Sequence, residues 1–304
     1  MDTYTHDGEH GASDMLTHGR SLIEIQIGSN RHPKELMTEI MNIVRRTRSE
    51  SAAKFGPVTN EELSLFTIEA KRLEGAYGVP VSADSLVSLH TMETSFEAKK
   101  CNKRLIAARR EISAAYRAGS SVLSISTRLR LPPIAVLRQI LAAEGYEAKV
   151  VNTMIEDPLL MPARLASEAQ EIVDSDAGSR HYCMHVAARA QEYENSLVSY
   201  LRNTGAAFRT EDEIKFWTPK NDPAPLTPDV LFDTPILVNG HLVHWMDAKA
   251  YPWYGSPLVA GKIAKQANKY IEAFGMGAFV FKGGVGLGTY VASPVLLLDG
   301  SHIG

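Results

Sequence analysis

Two acidic residues and one lysine in the carboxy-terminal third of the chain have the types and the spacing of a metal-dependent phosphodiesterase site. Asp229 follows Thr227 and Pro228, and Asp247 stands two residues before Lys249. Two carboxylates can share a hard divalent cation, and a lysine ammonium can activate water or counter the charge that develops at a phosphate. The three charged residues therefore predict phosphodiester hydrolysis that depends on Mg²⁺ or Mn²⁺.

The elements around these residues are predicted to be the two strands of a hairpin. Asn239-Gly240 lies between apolar stretches, and this pair is typical of a two-residue turn in which both residues have positive φ. Residues two apart on a strand share a face, so Asp247 and Lys249 point together. A lone Asp-x-Lys is usually a surface ion pair, but the strand before Asp247 is nearly all apolar, which favours a functional role for these charges.

An irregularity in the first strand is needed to bring Asp229 to the same face. In an unbroken ladder counted outward from the turn, Asp229 lies opposite Ala250, on the wrong face to share a metal with Asp247. One extra residue at Thr234-Pro235 corrects this, because proline cannot donate to the ladder and is typical of bulges. The sequence therefore predicts a bulge there, with Asp229 level with Lys249.

A third acid is available from a helix upstream. Residues 187–201 have helical periodicity, and Gly205 is a suitable stop. Glu194 lies one turn before Leu197, at the edge of the apolar stripe, where an acid is either a metal ligand or a solvated flank. Glu192 is the competing choice on the same helix.

Taken in order, these motifs resemble the PD-(D/E)xK nuclease superfamily, whose pattern is a helix glutamate, Pro-Asp at a strand start, and (Asp/Glu)-x-Lys on the next strand. More narrowly, the Thr-Pro-Asp motif and the segment Gly240-His241-Leu242-Val243-His244-Trp245 resemble the codanin-interacting nuclease family. The resemblance also includes Asp157-Pro158 with Met161-Pro162 and covers most of the chain after about Lys99. The residues that match the superfamily pattern are Glu194, Pro228-Asp229 and Asp247-Ala248-Lys249.

The resemblance implies roles for these residues. Lys249 would act on the water or on transition-state charge, with Glu194 as an accessory acid. Gln266 and Tyr270, one turn apart on a predicted helix, would be the Gln-x-x-x-Tyr pair beside the active site. The metal ligands would be Asp229, Asp247 and Glu194. A nuclear or nucleocytoplasmic protein that binds codanin is implied as well.

A strongly basic segment lies in the amino-terminal half. Between Glu97 and Arg138 there are ten basic residues and two acidic ones, a local charge of +8 in a chain whose total is −3, so the remainder carries −11. Such a segment is typical of a surface that binds a polyanion. Three lysines on the predicted helix over 262–274 form a further stripe, which either contacts phosphates or is simply solvated. The residues predicted to contact nucleic acid are Arg109, Arg110, Arg117, Arg128, Arg130, Arg138, Lys262, Lys265 and Lys269.

Three short helices are predicted within this basic segment, over 107–118, 121–130 and 132–143. Their lengths and spacing resemble a helix-turn-helix, in which the third helix would place its first turns in a major groove. That helix is strongly apolar, which favours binding to the shape or backbone of nucleic acid over sequence reading. Protein docking by the same helices is the alternative.

Composition and patterning predict two domains. The chain has 304 residues, of which 44% are hydrophobic, and no apolar run long enough to cross a membrane. We expect a disordered tail over 1–30, a basic helical domain over 31–150, a connector over 151–180 and a nuclease-like domain over 181–304. The last is predicted to be α/β, with a restriction-endonuclease-like mixed sheet flanked by helices.

Several smaller features receive structural interpretations. The first thirty residues lack the apolar core of a signal peptide, so we expect an intracellular protein. Two cysteines, Cys101 and Cys183, are too few for a disulfide framework. Zinc at His181 and His185 is conceivable, but no cluster of partner ligands is visible. The glycine-rich segment 283–288 is predicted to connect strands and not to bind phosphate, because no helix follows it.

Two classes of function remain open from the sequence. One is a nuclease that acts on nucleic acid, with DNA favoured over RNA and homodimerisation expected if it resolves DNA joints. The other is a non-catalytic adaptor that has kept the nuclease fold and binds nucleic acid or a codanin-like protein. The intact set of Asp229, Asp247 and Lys249 favours the enzyme.

Overall fold

The centre of the carboxy-terminal half is a mixed sheet of six strands, counted over the residues that the structure describes. This computed structural model describes residues 22–51, 54–217, 226–291 and 293–303. The order across the sheet is β1-β4-β5-β6-β8, with β3 also paired to β4. The strands are β1 (Glu24–Ile25), β3 (Phe208–Thr210), β4 (Val230–Val238), β5 (His241–Lys249), β6 (Gly277–Phe281) and β8 (Leu296–Asp299), while β2 (Arg31–His32) and β7 (Val285–Gly286) form a separate pair.

Strand directions in the sheet are mixed, as predicted for this part of the chain. The β4–β5 and β3–β4 pairs are antiparallel, whereas β5–β6, β6–β8 and β1–β4 are parallel. The strand β6 is buried at every position, which explains its unbroken apolar sequence. The prediction of an α/β fold with a mixed sheet is confirmed.

Twelve α-helices precede, flank or interrupt the strands in the described part of the chain. They are α1 (Lys34–Glu50), α2 (Asn60–Tyr77), α3 (Ala83–Lys100), α4 (Asn102–Ala107), α5 (Arg109–Arg117), α6 (Val122–Leu129), α7 (Pro133–Ala143), α8 (Ala148–Glu156), α9 (Ala163–Asp174), α10 (Arg180–Asn203), α11 (Glu211–Trp217) and α12 (Pro257–Phe274). A 3₁₀ turn spans Pro158–Leu160. No helix among the described residues is long and apolar enough to span a bilayer.

The long helix α10 brings an acid to the sheet. Its first turn is capped by the Ser179 side chain, which accepts a hydrogen bond from the Tyr182 amide. Tyr193, Leu197 and Leu201 are buried against the sheet, so the face that they define is fixed. Glu194 follows Tyr193 directly and is held at the edge of that face.

The predicted hairpin between β4 and β5 is confirmed. Asn239 and Gly240 both have positive φ, 51° and 79°, and Val238 pairs with His241. The Asn239 side chain accepts from the Ile27 amide at 2.9 Å and donates to the Ile27 carbonyl at 2.8 Å. The turn therefore also holds the amino-terminal segment that follows β1.

The predicted tail ends earlier than Asn30. Residues 1–21 lie outside the described residues, but β1 pairs in parallel with the end of β4. Ile25 and Ile27 are buried in the sheet core, and Ile23 packs against it. These isoleucines alternate with polar residues, a strand pattern that outweighs the polar composition of the residues before them.

The amino-terminal half is helical, as predicted, and has two apolar cores. One is formed within α1, α2 and α3. The other joins α5, α6 and α7 to α8 and α9, and it includes Val151, Met154, Leu165 and Ile172. The predicted connector over 151–180 is therefore largely part of the helical core, because its apolar residues are buried there.

The three short helices in the basic segment lie close to their predicted positions, at α5, α6 and α7. The first turn of α7 is covered, since Ile134 is buried and its amide donates at 2.8 Å to the buried carboxylate of Asp176. The idea that the first turns of this helix face bases in a major groove is wrong for this arrangement. Its apolar sequence serves the core of the helical half.

Candidate functional site

A large irregularity in the β4–β5 ladder sets the position of Asp229. From Leu231 to Ile236, β4 advances five residues, while the partner strand moves only two, from Trp245 to Val243. The predicted bulge around Thr234-Pro235 is therefore confirmed in place, but three extra residues are present instead of one.

The size of the bulge changes which residue faces Asp229. Val230 pairs with Met246, so the preceding residue, Asp229, lies level with Asp247 and not with Lys249. An odd number of extra residues still brings Asp229 to the face of Asp247, as the sequence argument required. The Asp229 carboxylate accepts a hydrogen bond of 2.6 Å from the amide of Ala248, which fixes it against β5.

Three carboxylates meet beside the start of β4. Glu194 from α10, Glu211 from α11 and Asp229 offer oxygen atoms that all lie within 4.8 Å of one another. All three side chains are partly buried. Oxygen donors at this separation suit a hard divalent cation such as Mg²⁺, Mn²⁺ or Ca²⁺.

Glu211 is a member of this group that the sequence analysis missed. It is the first residue of α11, directly after β3, and β3 pairs with β4 on the side away from β5. The Thr227 hydroxyl donates to Glu211 at 2.9 Å, so the Thr-Pro-Asp segment positions this acid as well as Asp229. Only the pairing of β3 with β4, which no local pattern encodes, identifies it.

Asp247 and Lys249 form a buried ion pair next to the three acids. Their side chains are 4% and 16% exposed, and the Lys249 ammonium donates to Asp247 Oδ1. The other oxygen of Asp247 accepts a hydrogen bond of 2.8 Å from Gln266. Both oxygens of Asp247 are thus engaged, and this predicted metal ligand is not among the three acids whose oxygen atoms lie within 4.8 Å of one another.

Gln266 and Tyr270 lie next to Asp247, on α12. The Gln266 amide donates both to Asp247 and, at 3.1 Å, to the Tyr270 hydroxyl. That hydroxyl donates at 2.9 Å to the carbonyl of Thr227. A continuous chain of hydrogen bonds therefore connects α12, the Asp247–Lys249 pair and the Thr-Pro-Asp segment.

Burial and mutual repulsion perturb the acids of the site. Burial, together with the charges of Asp247 and Glu194, raises the pKa of Asp229 to about 8. The pKa of Glu194 is raised by burial and then by Asp247 and Glu211. Burial also raises the pKa of Asp247, against the opposing effect of Lys249. A bound cation relieves this repulsion, so the residues present fit a divalent metal ion.

The remaining predicted residues lie in two different places. Glu192 is exposed, whereas Glu194 lies in the acid group, so Glu194 is the one of the two α10 acids that lies beside Glu211 and Asp229. Lys262 lines a pocket together with Lys249 and Gln266, while Lys265 and Lys269 are exposed further along α12. The six predicted arginines are all exposed on α5 to α7 or in the turns that join them.

Three sequence features have structural outcomes outside the site. His181 and His185 are exposed and approach within 3.2 Å through their Nε2 atoms, and the group of possible metal ligands found among the described residues does not include them. The glycine-rich segment 283–288 follows β6 and includes β7, so it lies among strands, as predicted. Cys101 and Cys183 are free thiols, one buried and one exposed.

Comparisons with known proteins agree with the motif analysis. Residues 161–290 match a family model described as "Protein of unknown function TPD sequence-motif". The mimivirus protein L539 of Acanthamoeba polyphaga mimivirus, described as uncharacterized, is 41% identical over 123 residues, which are 39% of this chain and 42% of that protein. CDAN1-interacting nuclease 1 of Danio rerio is 27% identical over 139 residues, 42% of this chain and 44% of that protein.

A human relative of the same name is similar to this chain to about the same degree. CDAN1-interacting nuclease 1 of Homo sapiens is 28% identical over 104 residues, 33% of this chain and 35% of that protein. The matched segments therefore span less than half of each of these three relatives. No solved structure matches the chain significantly.

The fold and the acid group define an α/β protein with a nuclease-like mixed sheet. Residues 161–290 match the TPD-motif family model, and the chain is similar to several proteins named CDAN1-interacting nuclease 1, which supports the resemblance to the codanin-interacting nuclease family. The wider assignment to the PD-(D/E)xK superfamily rests on the short motifs alone and stays a prediction.

Proposed function

We propose that this protein is a Mg²⁺- or Mn²⁺-dependent nuclease that hydrolyses phosphodiester bonds in nucleic acid, with structured DNA as the favoured substrate. The observation that carries the proposal is the meeting of Glu194, Glu211 and Asp229 within 4.8 Å, beside the buried pair of Asp247 and Lys249. Relatives named as nucleases at 27–29% identity support the same class of reaction.

Glu194, Glu211 and Asp229 would hold the cation, and the Asp247–Lys249 pair lies next to them. A divalent cation bound there supplies Lewis-acid stabilisation of the phosphate and favours ionisation of the attacking water. The chain itself keeps these acids in place through the Ala248 amide, which holds Asp229, and the Thr227 hydroxyl, which holds Glu211.

Lys249 counters the negative charge that develops on the phosphate oxygens during in-line attack by water. Its ammonium is held by Asp247, and Asp247 is in turn held by Gln266 and the Tyr270 hydroxyl beyond it. Gln266 and Tyr270 are thus positioning residues. A preorganised cation in a water-poor site stabilises developing charge more strongly than one in bulk water.

The exposed arginines of α5 to α7 would hold the substrate backbone. Arg109, Arg110 and Arg117 lie on one short helix and are exposed to solvent. Their positively charged guanidinium groups attract phosphates without reading the base sequence. In this arrangement the helical half binds nucleic acid and the sheet half cleaves it.

Cleavage of defined substrates tests the proposal. The wild-type protein and Asp247→Ala are incubated with labelled single-stranded, duplex, flap and four-way DNA and matching RNA, in Mg²⁺, Mn²⁺ or chelator. We expect cleavage that requires the metal and is lost in the variant. Binding without cleavage by both proteins, over all substrates and metals, would replace the nuclease with a nucleic-acid-binding adaptor.

A second proposal concerns a protein partner. Relatives are named for interaction with CDAN1, and in this chain the 3₁₀ turn within the Asp157-Pro158 to Met161-Pro162 segment exposes Leu159 by 89% and Leu160 by 51%. Adjacent exposed leucines of this kind are typical of protein contact surfaces. We infer that they contribute to binding a codanin-like protein, which a Leu159→Asp/Leu160→Asp variant should weaken in a pull-down without affecting cleavage.

A further inference from the structure

A pocket of about 420 Å³ lies beside the acid group, on the side of Lys249. Glu194, Lys249 and Gln266 form the part of its lining that is shared with the site. The lining also includes Ala250 and Tyr251, directly after the end of β5. A ligand that fills it therefore has one end at the reacting phosphate.

The walls of the pocket come from three helices and are largely apolar. One wall is α3, which belongs to the helical half and lies outside the matched region 161–290. The others are α10 and α12. The apolar side chains in these walls are Val87, Val186, Ala190, Val259 and Ile263.

Positive charges lie among these apolar walls. Arg189 and Lys282 line the pocket and are both paired with Asp84, at 2.7 and 3.7 Å. Lys262 lines it too, is exposed, and has no ion-pair partner within the described ranges. The pocket thus combines apolar surface with the ammonium group of Lys262, and Lys249 also lines it.

We propose that this pocket holds one unpaired nucleotide of the substrate strand, adjoining the bond that is cut. An unpaired nucleotide has an apolar base face and an anionic phosphate, which match the apolar walls and Lys262 respectively. The volume lies at the lower end of the range of about 300–1,000 Å³ typical of small-ligand sites. The proposal deepens the proposed function and rests on it for the position of the scissile bond.

The substrate class follows from the geometry. A base in this pocket is removed from its stack and from its partner strand, which costs free energy in a duplex and little in a single strand. Single-stranded ends, flaps and junctions with unpaired nucleotides are therefore the substrates, and continuous duplex is not. Because α3 supplies one wall, the helical half also contributes to this selection.

Binding of a mononucleotide tests the pocket separately from catalysis. Adenosine 5′-monophosphate and its deoxy form are titrated in Mg²⁺ into the wild type, Ala190→Phe, which fills the pocket, and Ala188→Phe. Ala188 is exposed on the same helix and does not line the pocket, so it is a matched control. Cleavage of a single-stranded oligonucleotide and of a closed circular duplex is measured in parallel.

We expect the wild type and Ala188→Phe to bind the mononucleotide equally and Ala190→Phe to bind at least about tenfold more weakly, about 1.4 kcal/mol. Cleavage of the closed duplex should be slower than that of the single strand. Equal mononucleotide binding by the three folded proteins, absence of binding by the wild type, or equal cleavage of both substrates overturns the pocket assignment.

The outcomes also separate this inference from the proposed function. If mononucleotide binding is lost in Ala190→Phe but no protein cleaves any substrate, the nucleotide pocket stands and the nuclease proposal fails. If Ala190→Phe does not fold, Val186→Phe replaces it, because Val186 is 42% exposed and can accept a larger side chain.

Discussion

The two charged regions of this chain are built in opposite ways. In the carboxy-terminal half, the Asp247 and Lys249 side chains are 4% and 16% exposed, and three further acids crowd beside them. In the basic helical segment, the paired side chains of Glu111 and Arg128 are 53% and 55% exposed. Charge is thus buried in one region and solvated in the other.

This difference indicates what each region can do. Burying charge costs free energy, so a cluster of buried acids and a lysine persists where a bound cation or a reaction compensates for it. Exposed arginines cost little free energy, and they attract an anionic polymer over a distance that shortens as the salt concentration rises. In the proposed nuclease, this difference would place the chemistry in the sheet half and the capture of substrate in the helical half.

The largest effect is expected from Lys249→Ala. Removing the only cation hydrogen-bonded to Asp247 in the described part of the chain should lower kcat by about two to three orders of magnitude, as for other preorganised charge stabilisers. Lys71→Ala, at an exposed lysine of α2, is the control and should leave kcat unchanged. Equal activity of both variants would make the buried pair structural.

Removal of the exposed charges should affect binding and not chemistry. The triple substitution Arg109→Ala, Arg110→Ala, Arg117→Ala should weaken nucleic-acid binding and reduce the slope of log K against log salt by about three. Cleavage at saturating substrate should be retained. A filter-binding salt titration measures the slope. An unchanged slope would assign α5 to a protein partner instead.

Smaller effects are expected on the free energy of unfolding, where removal of a buried acid and of an exposed acid can be compared. Asp229→Asn should stabilise the metal-free protein by about 1 kcal/mol, because it removes one of several mutually repelling, partly buried acids. Glu111→Gln should change stability by less, since its pair with Arg128 is exposed. Urea denaturation in chelator compares them. Destabilisation by Asp229→Asn would show that its hydrogen bond with Ala248 outweighs the repulsion.

The smallest effect concerns a buried histidine of the helical half. Burial lowers the pKa of His90 below 6.5, so the folded state keeps it neutral while the unfolded state takes up a proton. Its contribution to stability is present above about pH 6.5 and is lost as the pH falls towards the folded pKa. Urea denaturation at pH 7.5 and 5.5 should show that the free energy of unfolding falls less between these pH values in His90→Gln than in the wild type. An equal loss would assign the effect to other groups.

Local patterns predicted the parts of the site that are close in sequence. The Asn239-Gly240 turn and the period of two along β5 were sufficient for the hairpin and for the shared face of Asp247 and Lys249. The need for a bulge followed from the alternation of strand faces alone, because an odd number of extra residues is required to bring Asp229 to the face of Asp247. Its size did not, because one and three extra residues restore the same face.

The parts that could not be predicted depend on pairing between distant segments. Glu211 enters the acid group through the pairing of β3 with β4, and β1 joins the sheet by pairing with the far end of β4. The burial of the first turn of α7 depends on Asp176, more than thirty residues later in the chain. Such contacts require the tertiary structure.

The central claim is that Glu194, Glu211 and Asp229 bind a divalent cation that cleavage requires. Its most direct test is a Mn²⁺ titration of the wild type, Glu194→Gln and the matched control Glu192→Gln, with occupancy and cleavage measured on the same samples. We predict that cleavage follows occupancy in the wild type and the control, and that both are lost in Glu194→Gln. Cleavage in chelator, or identical titrations for the two variants, would contradict the account.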